Sequence, residues 1–295
     1  MKKLEQCPIC NSKDINPFLK TKDYSTSKED FHIVSCETCS FTATSPRPDD
    51  KDLDKYYLSE SYISHTNDKD GLFNFLYQNV RKIAIKSKLS LLLSVAEKST
   101  HLDIGCGTGE FLNACKNSGF KTKGIEPSSI ARKKAIKNYK LDISKNTNLS
   151  QYNENSFSSI SMWHVLEHVA NLEETILMIN KILKNNGIAI IAVPNKESWD
   201  AKYYKNYWAA WDVPIHLWHF SKDTIKKIFE KHGFELIKTK GMIFDAYYVS
   251  LLSEQYRYGK KNFLRAFFIG LISNIYAVFT KNGHSSNIYI FKNSK

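Results

Sequence analysis

The stretch His101-Leu-Asp-Ile-Gly-Cys-Gly-Thr-Gly-Glu110 decides how this chain folds. His101 to Ile104 is a short apolar run of strand type, and the three glycines after it remove the side chains that would hold a ligand away from the main chain. The turn therefore joins a strand to a helix and leaves room for a nucleotide-like group at the strand's carboxyl end. Its spacing is Gly-x-Gly-x-Gly, with Asp103 two residues ahead of Gly105. A dinucleotide loop has Gly-x-Gly-x-x-Gly and needs no such acid. An acid at this place suits a positively charged ligand better than a pyrophosphate. Glu126 closes the next strand 23 residues after Asp103, where a carboxylate can accept both hydroxyls of a ribose.

Outward from the loop, strand and helix alternate. A helix runs to Asn117, a strand from Phe120 to Ile125, a helix to Asn138 and a short strand near Leu141. A strand from Phe157 to Met162, a helix to Leu183 and a strand from Ile188 to Val193 follow. This order predicts an α/β fold, a parallel sheet with helices on both faces and ligands at the strands' carboxyl ends. Ahead of the loop, residues 68–97 carry Leu72, Phe73, Leu76, Val80, Ile83, Leu89, Leu92 and Val95 at mostly helical spacing. One long or two shorter amphipathic helices are expected there. Ser45-Pro-Arg-Pro-Asp-Asp50 reads as a linker or turn, and Tyr56, Tyr57, Tyr62 and His65 as a packing cluster.

At the front, Cys7-Pro-Ile-Cys10 and Cys36-Glu-Thr-Cys39 are two CxxC pairs 25 residues apart, flanking the β-like Phe31-His-Ile-Val34. Two such knuckles can give four thiolates to one tetrahedral ion, and a four-cysteine site is closed to chemistry. Cys7, Cys10, Cys36 and Cys39 are therefore read as ligands of a structural zinc that folds residues 1–45. Residues 46–98 are read as linker and helices, and 99–295 as the main domain.

Composition narrows the partners. The chain has 295 residues, 42% of them hydrophobic and 24% charged, as in an ordinary globular protein. Six cysteines are too few for a disulfide scaffold, and the N-terminus lacks the apolar run of a signal peptide, so a reducing cytoplasm is expected. The net charge of +12 is uneven. Residues 1–98 carry 15 basic and 14 acidic side chains, residues 99–244 carry 20 and 14, and residues 245–295 carry 7 and 2. The ribbon itself has six of each, which argues against nucleic acid as its partner.

Asp103, the glycine loop and Glu126 together resemble motifs I and II of class I S-adenosylmethionine-dependent methyltransferases. Asn155-Ser-Phe157, leading to Trp163-His-Val-Leu-Glu-His168, resembles the "NSFD...hVLEHv" stretch of the branch that includes ubiquinone-type O-methyltransferases. Asp212-Val-Pro-Ile-His-Leu-Trp-His-Phe-Ser221 resembles that branch's "DxPRHLxHFS", and Cys7 to His65 is similar to zinc-ribbon methyltransferases with "YYxSxxYxSH" after the second cysteine pair. Ser158 stands where Asp is usual, Ile215 where Arg is usual, and no acid follows the third strand. The resemblance implies a Rossmann-like sheet of seven strands, the last antiparallel and paired in a hairpin with the sixth (Phe234 to Thr239, then Asn287 to Phe291). It implies S-adenosylmethionine held by Asp103, Gly105, Cys106, Gly107, Gly109, Glu126 and Trp163, with Asn146 or Thr147 toward the adenine.

Methyl transfer from a sulfonium asks a protein chiefly to align the acceptor and take or accommodate its proton. His164, Glu167 and His168 fall at i, i+3 and i+4 and would share a face if a helix began after the fourth strand. They read as a helix start with a bonded histidine, as a general base or as a divalent-metal site. His216 and His219 lie in a loop with Trp208, Trp211 and Trp218, either an acceptor pocket or a packed aromatic loop. His168 and His216 are the first candidates to assist the acceptor, with His164 and His219 second. After the fourth strand there is no Asn or Asp followed by Pro-Pro and an aromatic, which disfavours base N-methylation. Oxygen or carbon of a small molecule, a sugar or a lipid-linked precursor stays open. Two other classes remain: a nicotinamide-dependent Rossmann enzyme, and a noncatalytic or RNA-binding zinc-ribbon protein that keeps a cofactor fold.

Residues 245–283 read as an insertion before the last strand. Ala266 to Phe279 is strongly apolar and flanked by Lys260, Lys261, Arg265 and Lys281. It is too short to span a bilayer core of about 30 Å. A helix buried in the domain or in a homodimer interface is one expectation, and a lid at 263–280 resting peripherally on a membrane is the other.

Overall fold

The computed structural model describes residues 1–57 and 72–295; Tyr62 and His65 lie outside them. The chain begins with β1 (Ile15–Lys22), β2 (Asp30–Cys36) and β3 (Thr42–Thr44) and a 3-10 turn over Asp50–Tyr57. It continues with α1 (Leu72–Val95), β4 (Thr100–Ile104), α2 (Glu110–Asn117), β5 (Lys121–Ile125), α3 (Ser129–Tyr139) and β6 (Ile143–Ser144). After these come β7 (Phe157–Trp163), α4 (Leu172–Ile182), β8 (Leu183–Pro194), α5 (Trp199–Tyr204), β9 (Trp218–His219) and α6 (Lys222–Lys231). The chain closes with β10 (Phe234–Gly241), α7 (Ile243–Tyr258), α8 (Phe263–Phe279) and β11 (Ser286–Asn293).

The main sheet has seven strands in the order β10-β11-β8-β7-β4-β5-β6. β4 pairs in parallel with β5 and β7, and β7 with β8, whereas β11 is antiparallel to both β8 and β10. β8 is buried from Gly187 to Val193, as a strand covered on both faces must be, which explains its near-continuous apolar run. Leu172, Ile176, Ile179 and Ile182 of α4 recur at helical spacing and are all buried, as are Ile225, Ile228 and Phe229 of α6. The start of α6 is fixed by a capping box, in which the Ser221 hydroxyl accepts from Thr224 N and the Thr224 hydroxyl from Ser221 N. The third strand is two residues long and begins at Ile143 rather than at Leu141, whose side chain packs beneath the glycine loop. The helical pattern before the loop is one helix, α1.

The ribbon is not set apart from this domain. Its sheet has the order β1-β2-β3-β9, and β9 belongs to the loop between β8 and α6, with Thr42 opposite His219 and Ala43 opposite Trp218. Cys7, Cys36 and Phe41 lie in one apolar cluster with Leu217, Trp218, Phe220 and the main-sheet residues Ile160 and Met162. The linker reading of residues 45–50 holds only in part, since Ser45 and Arg47 are buried and Arg47 pairs with Asp50 at 2.7 Å.

Candidate functional site

The glycine loop leaves β4 and enters α2 with Gly105, Gly107 and Gly109 all at positive φ. Gly105 has a second reason to be glycine: a Cβ there would stand 2.3 Å from Val165 Cγ2. Gly107 donates its N–H to Glu126 Oε2 at 2.8 Å, while Glu126 Oε1 accepts Ser128 N at 2.8 Å. Both carboxylate oxygens of Glu126 thus face main-chain donors at the mouth of the loop. Asp103 is buried and accepts the Ser161 hydroxyl at 2.5 Å. Ser161 in turn meets His101 Nε2 at 3.1 Å, and His101 Nδ1 meets Ser159 Oγ at 2.9 Å. Because Ser161 spends its proton on Asp103, His101 must donate from Nε2 and accept at Nδ1. Strand register produces the chain: His101 lies opposite Ser159 and Asp103 opposite Ser161, so all four share a face. Burial raises the Asp103 carboxyl to about 7, against the pull of Ser161 and the Lys88 charge.

A cleft of about 240 Å³ opens on this loop, lined among others by Asp103, Gly105, Cys106, Gly107, Phe111 and Trp163. Its remaining wall is α1. Arg81 reaches Glu110 at 2.8 Å and the Thr108 hydroxyl at 3.0 Å, and the Lys88 ammonium sits 4.3 Å from the centre of the Trp163 ring. Burial lowers the Lys88 pKa, opposed by Asp103 and Asp245. Seven of the eight expected cofactor residues are therefore gathered at the cleft or its rim. Asn146 is the exception: it lies on the exposed loop after β6, where its side chain caps Asn148 N at 3.0 Å.

Beyond β7 the structure corrects the helix expected after the fourth strand. α4 starts only at Leu172, and Leu166–His168 is a single 3-10 turn entered through His164 at φ +58°. The ring of that left-handed residue meets two acids. His164 Nδ1 lies 3.3 Å from Glu167 Oε1 and Nε2 lies 3.0 Å from Asp245 Oδ2, in the first turn of α7. Burial disfavours the imidazolium, but the hydrogen bonds and charges of Asp245 and Glu167 outweigh it and raise His164 to about 10. His168 faces the other way. Its Nδ1 donates to Ile215 O at 3.0 Å, with the Tyr57 hydroxyl 3.2 Å away, and its ring meets that of His216 edge-on at 4.6 Å. His216 Nδ1 donates to Ala210 O at 2.9 Å. Both rings commit their Nδ1 proton to a carbonyl, so each keeps an unprotonated Nε2. Burial and the neighbouring His216 lower His168 to about 4, and burial lowers His216 as well.

Glu167, His168 and His216 each place one ligand atom within 4.8 Å of the other two. Glu167 Oε2 is buried without a hydrogen-bond partner among the described residues. His219 stands apart from this group, in β9, with Nε2 2.9 Å from the Thr44 hydroxyl and its ring edge-on to Trp211 at 5.0 Å. It ties the ribbon to the loop, and the expected role at the acceptor does not fit those contacts.

Residues 75–239, more than half of the chain, match the model of a methyltransferase domain family. The chain belongs to that family. It is an S-adenosylmethionine-dependent methyltransferase. Over 62% of this chain and 80% of the other, it is 28% identical to the ubiquinone biosynthesis O-methyltransferase of Rickettsia typhi. The same enzyme of Rickettsia canadensis is 28% identical over 67% of this chain and 88% of its own. Among solved structures, an S-adenosylmethionine-dependent methyltransferase from Archaeoglobus fulgidus shares the fold with a TM-score of 0.51 at 18% identity, covering 75% of this chain and 99% of that one. One from Thermotoga maritima gives 0.51 at 20% identity, over 75% and 97%.

At the methyltransferase's front end, Cys7 Sγ lies 3.4 Å from Cys39 Sγ and Cys10 Sγ 3.5 Å from Cys36 Sγ. All four sulfurs fall within 4.8 Å of one another. Zinc–sulfur bonds of about 2.3 Å put sulfurs roughly 3.8 Å apart on a tetrahedron's edge, so the donor set fits that ion. Each knuckle closes alike: Asn11 N donates to Cys7 O and Ser40 N to Cys36 O, with Asn11 and Ser40 both at positive φ.

Arg81, Lys88, Asp245 and the His101–Ser161 chain were not singled out from the sequence. Alternation at every second position in β4 and β7 is a signal that finds the chain. Asp245 has none, since 81 residues separate it from His164.

Proposed function

We propose that the methyltransferase carries the methyl group of S-adenosylmethionine to an oxygen or carbon of a small-molecule, sugar or lipid-linked acceptor, with His168 and His216 as the proton-accepting side. The observation that carries this reading is the pair of neighbouring rings that each give the Nδ1 proton to a carbonyl and keep Nε2 free to accept, His168 in the short turn after Trp163 and His216 packed edge-on against it. The acceptor oxygen attacks the methyl carbon, the carbon–sulfur bond breaks and its electron pair stays on sulfur as neutral S-adenosylhomocysteine. The acceptor's proton passes to an imidazole nitrogen. His164, protonated between two carboxylates, cannot take that proton, and its task is to hold Glu167 and Asp245. The relatives named as ubiquinone O-methyltransferases support an oxygen acceptor. The zinc is assigned to Cys7, Cys10, Cys36 and Cys39, where it organises the ribbon and does no chemistry.

A second reading of the acceptor side is favoured by the partnerless Glu167 Oε2. Glu167, His168 and His216 would hold a divalent cation, which when bound would polarise an acceptor hydroxyl and favour its ionised form. The two carbonyls that take the Nδ1 protons of the histidines fix the ring orientation such a site needs.

Incubating the protein with S-adenosylmethionine labelled in its methyl group and with fractionated cell extract tests the main reading. Label in an ether or carbon-bound product, lost with His168→Ala, supports it. Label found only on nitrogen overturns it. Calorimetry with magnesium and manganese distinguishes the metal reading, which fails if neither binds or if Glu167→Gln leaves binding unchanged.

A further inference from the structure

α8 is built the wrong way round for a helix facing water. Its inward face is Ala266, Ile269, Gly270, Ser273, Asn274 and Ala277, mostly small or polar residues that recur three and four apart. Its outward face carries Phe263, Leu264, Phe267, Phe268, Ile275, Val278 and Phe279. Leu264 is 70% exposed and Phe279 82%, whereas Ser273 is fully buried. The inner face is committed. Ser273 donates to Asp200 at 2.7 Å, Asn274 donates to Ile243 O at 2.9 Å, and a Cβ on Gly270 would lie 3.0 Å from the Tyr247 main chain. Small residues that let two helices touch, with large apolar side chains turned outward, are the arrangement of helices that meet lipid. In water such a continuous patch marks an interaction surface.

The charge around the patch says what covers it. Arg257, Lys260, Lys261 and Lys281 are exposed at its ends. Both acids of residues 245–295 are turned inward: Asp245 binds His164, and Glu254 is buried against Tyr204 and Arg265. Within residues 245–295 the rim is therefore basic, with no carboxylate of that segment exposed beside it. A second copy of this chain on a two-fold axis would set that rim against itself, whereas anionic headgroups would neutralise it. Seventeen residues make a helix of about 25 Å, and no helix among the described residues is long and apolar enough to cross a membrane. A helix of this kind lies in the plane of the surface with its apolar face in the headgroup boundary.

We infer that the α7–α8 hairpin docks the protein on an anionic lipid surface through Phe263, Leu264, Phe267, Phe268, Val278 and Phe279. The same hairpin begins with Asp245 at His164, so the docked face and the acceptor side belong to one element. That a lipophilic acceptor enters from this surface rests on the methyl-transfer reading; the docking does not.

Cosedimentation of the full chain with vesicles of phosphatidylglycerol and phosphatidylcholine, and with phosphatidylcholine alone, tests it. The expected result is pelleting with the anionic vesicles, reduced at high salt. Leu264→Glu/Phe268→Glu and Lys260→Glu/Lys261→Glu should each weaken it about tenfold or more. These positions are exposed, so the variants should fold, and unchanged affinity for S-adenosylhomocysteine would establish that they do. A wild-type protein left in solution by both vesicles overturns the inference. So does a dimer by light scattering that Leu264→Glu/Phe268→Glu turns into monomers without any vesicle binding. Failure to bind S-adenosylhomocysteine in the wild type would instead break the methyl-transfer reading and leave the docking result standing.

Discussion

The two halves of the site are made differently. The cofactor half is local: the loop that carries Gly105, Gly107 and Gly109 joins two consecutive elements, and its acids end the neighbouring strands β4 and β5. The half proposed to receive the acceptor is assembled from four distant segments. His164 to His168 follow β7, Asp212 to His216 precede β9, Asp245 opens α7, and Tyr57 arrives from before α1. The ribbon is bonded directly to this half. Thr44 N donates to Leu217 O, the Thr44 hydroxyl donates to His216 O at 2.7 Å, and Leu217 N donates to Glu167 O at 2.8 Å. A fold that keeps its donor site local and its acceptor site composite can change acceptors by altering distant loops while the donor geometry stays fixed.

The sharpest way to break this division is at the imidazoles. His168→Ala should lower turnover by about a hundredfold or more, the range for loss of a general base, with affinity for S-adenosylhomocysteine unchanged. If calorimetry shows both falling together, the halves are not separable. On the cofactor side, Glu126→Ala removes two charge-assisted acceptors that also anchor Gly107 and Ser128. At about 1.5–3 kcal/mol for each such bond, cofactor affinity should fall by about a hundredfold or more. The acceptor cluster should keep its structure, which histidine ring resonances would report.

Cys36→Ser probes the join between the halves. Because ribbon and main sheet share one core and the β3–β9 pairing, a single thermal transition at lower temperature is expected rather than a ribbon that melts first. Metal analysis should fall from about one zinc per chain to none. Two resolved transitions in calorimetry would restore the ribbon as an independent unit.

A smaller effect comes from Asp103. Its folded pKa, near 7, lies above its ordinary value of 3.8, so the ligand-free protein gives up stability as pH rises from about 4 to about 7 and then loses no more. Binding of a cationic cofactor favours the ionised form, so affinity should rise several-fold through pH 7. Asp103→Asn should flatten that profile. An unchanged slope in titrations between mildly acidic and mildly alkaline buffer would assign the dependence to another group.

What could be read without a structure follows this same division. Glycine spacing, the two flanking acids, the strand–helix alternation and the paired CxxC knuckles are contiguous patterns. Each is set by main-chain geometry or by ligand spacing within a few residues, so Asp103, Glu126 and the cysteine quartet stood out directly. The His164-Val-Leu-Glu-His168 run shows the limit, since identical spacing serves a helix face or a 3-10 turn. Only the packing of residues 210–219 against that turn, and of α7 against His164, sends the two rings to opposite partners and opposite charge states. The apolar run in α8 was visible too, but not which of its faces turns inward, because small residues reveal themselves as an interface only when a neighbour such as Tyr247 is seen against them. The sequence by itself determined the sheet, the donor loop and the four-cysteine knuckles, whose information lies within single elements. Tertiary structure alone decided the protonation of the histidines, the fusion of ribbon to catalytic domain and the outward apolar face, because each depends on which distant segment supplies a proton acceptor, a strand edge or a packing surface.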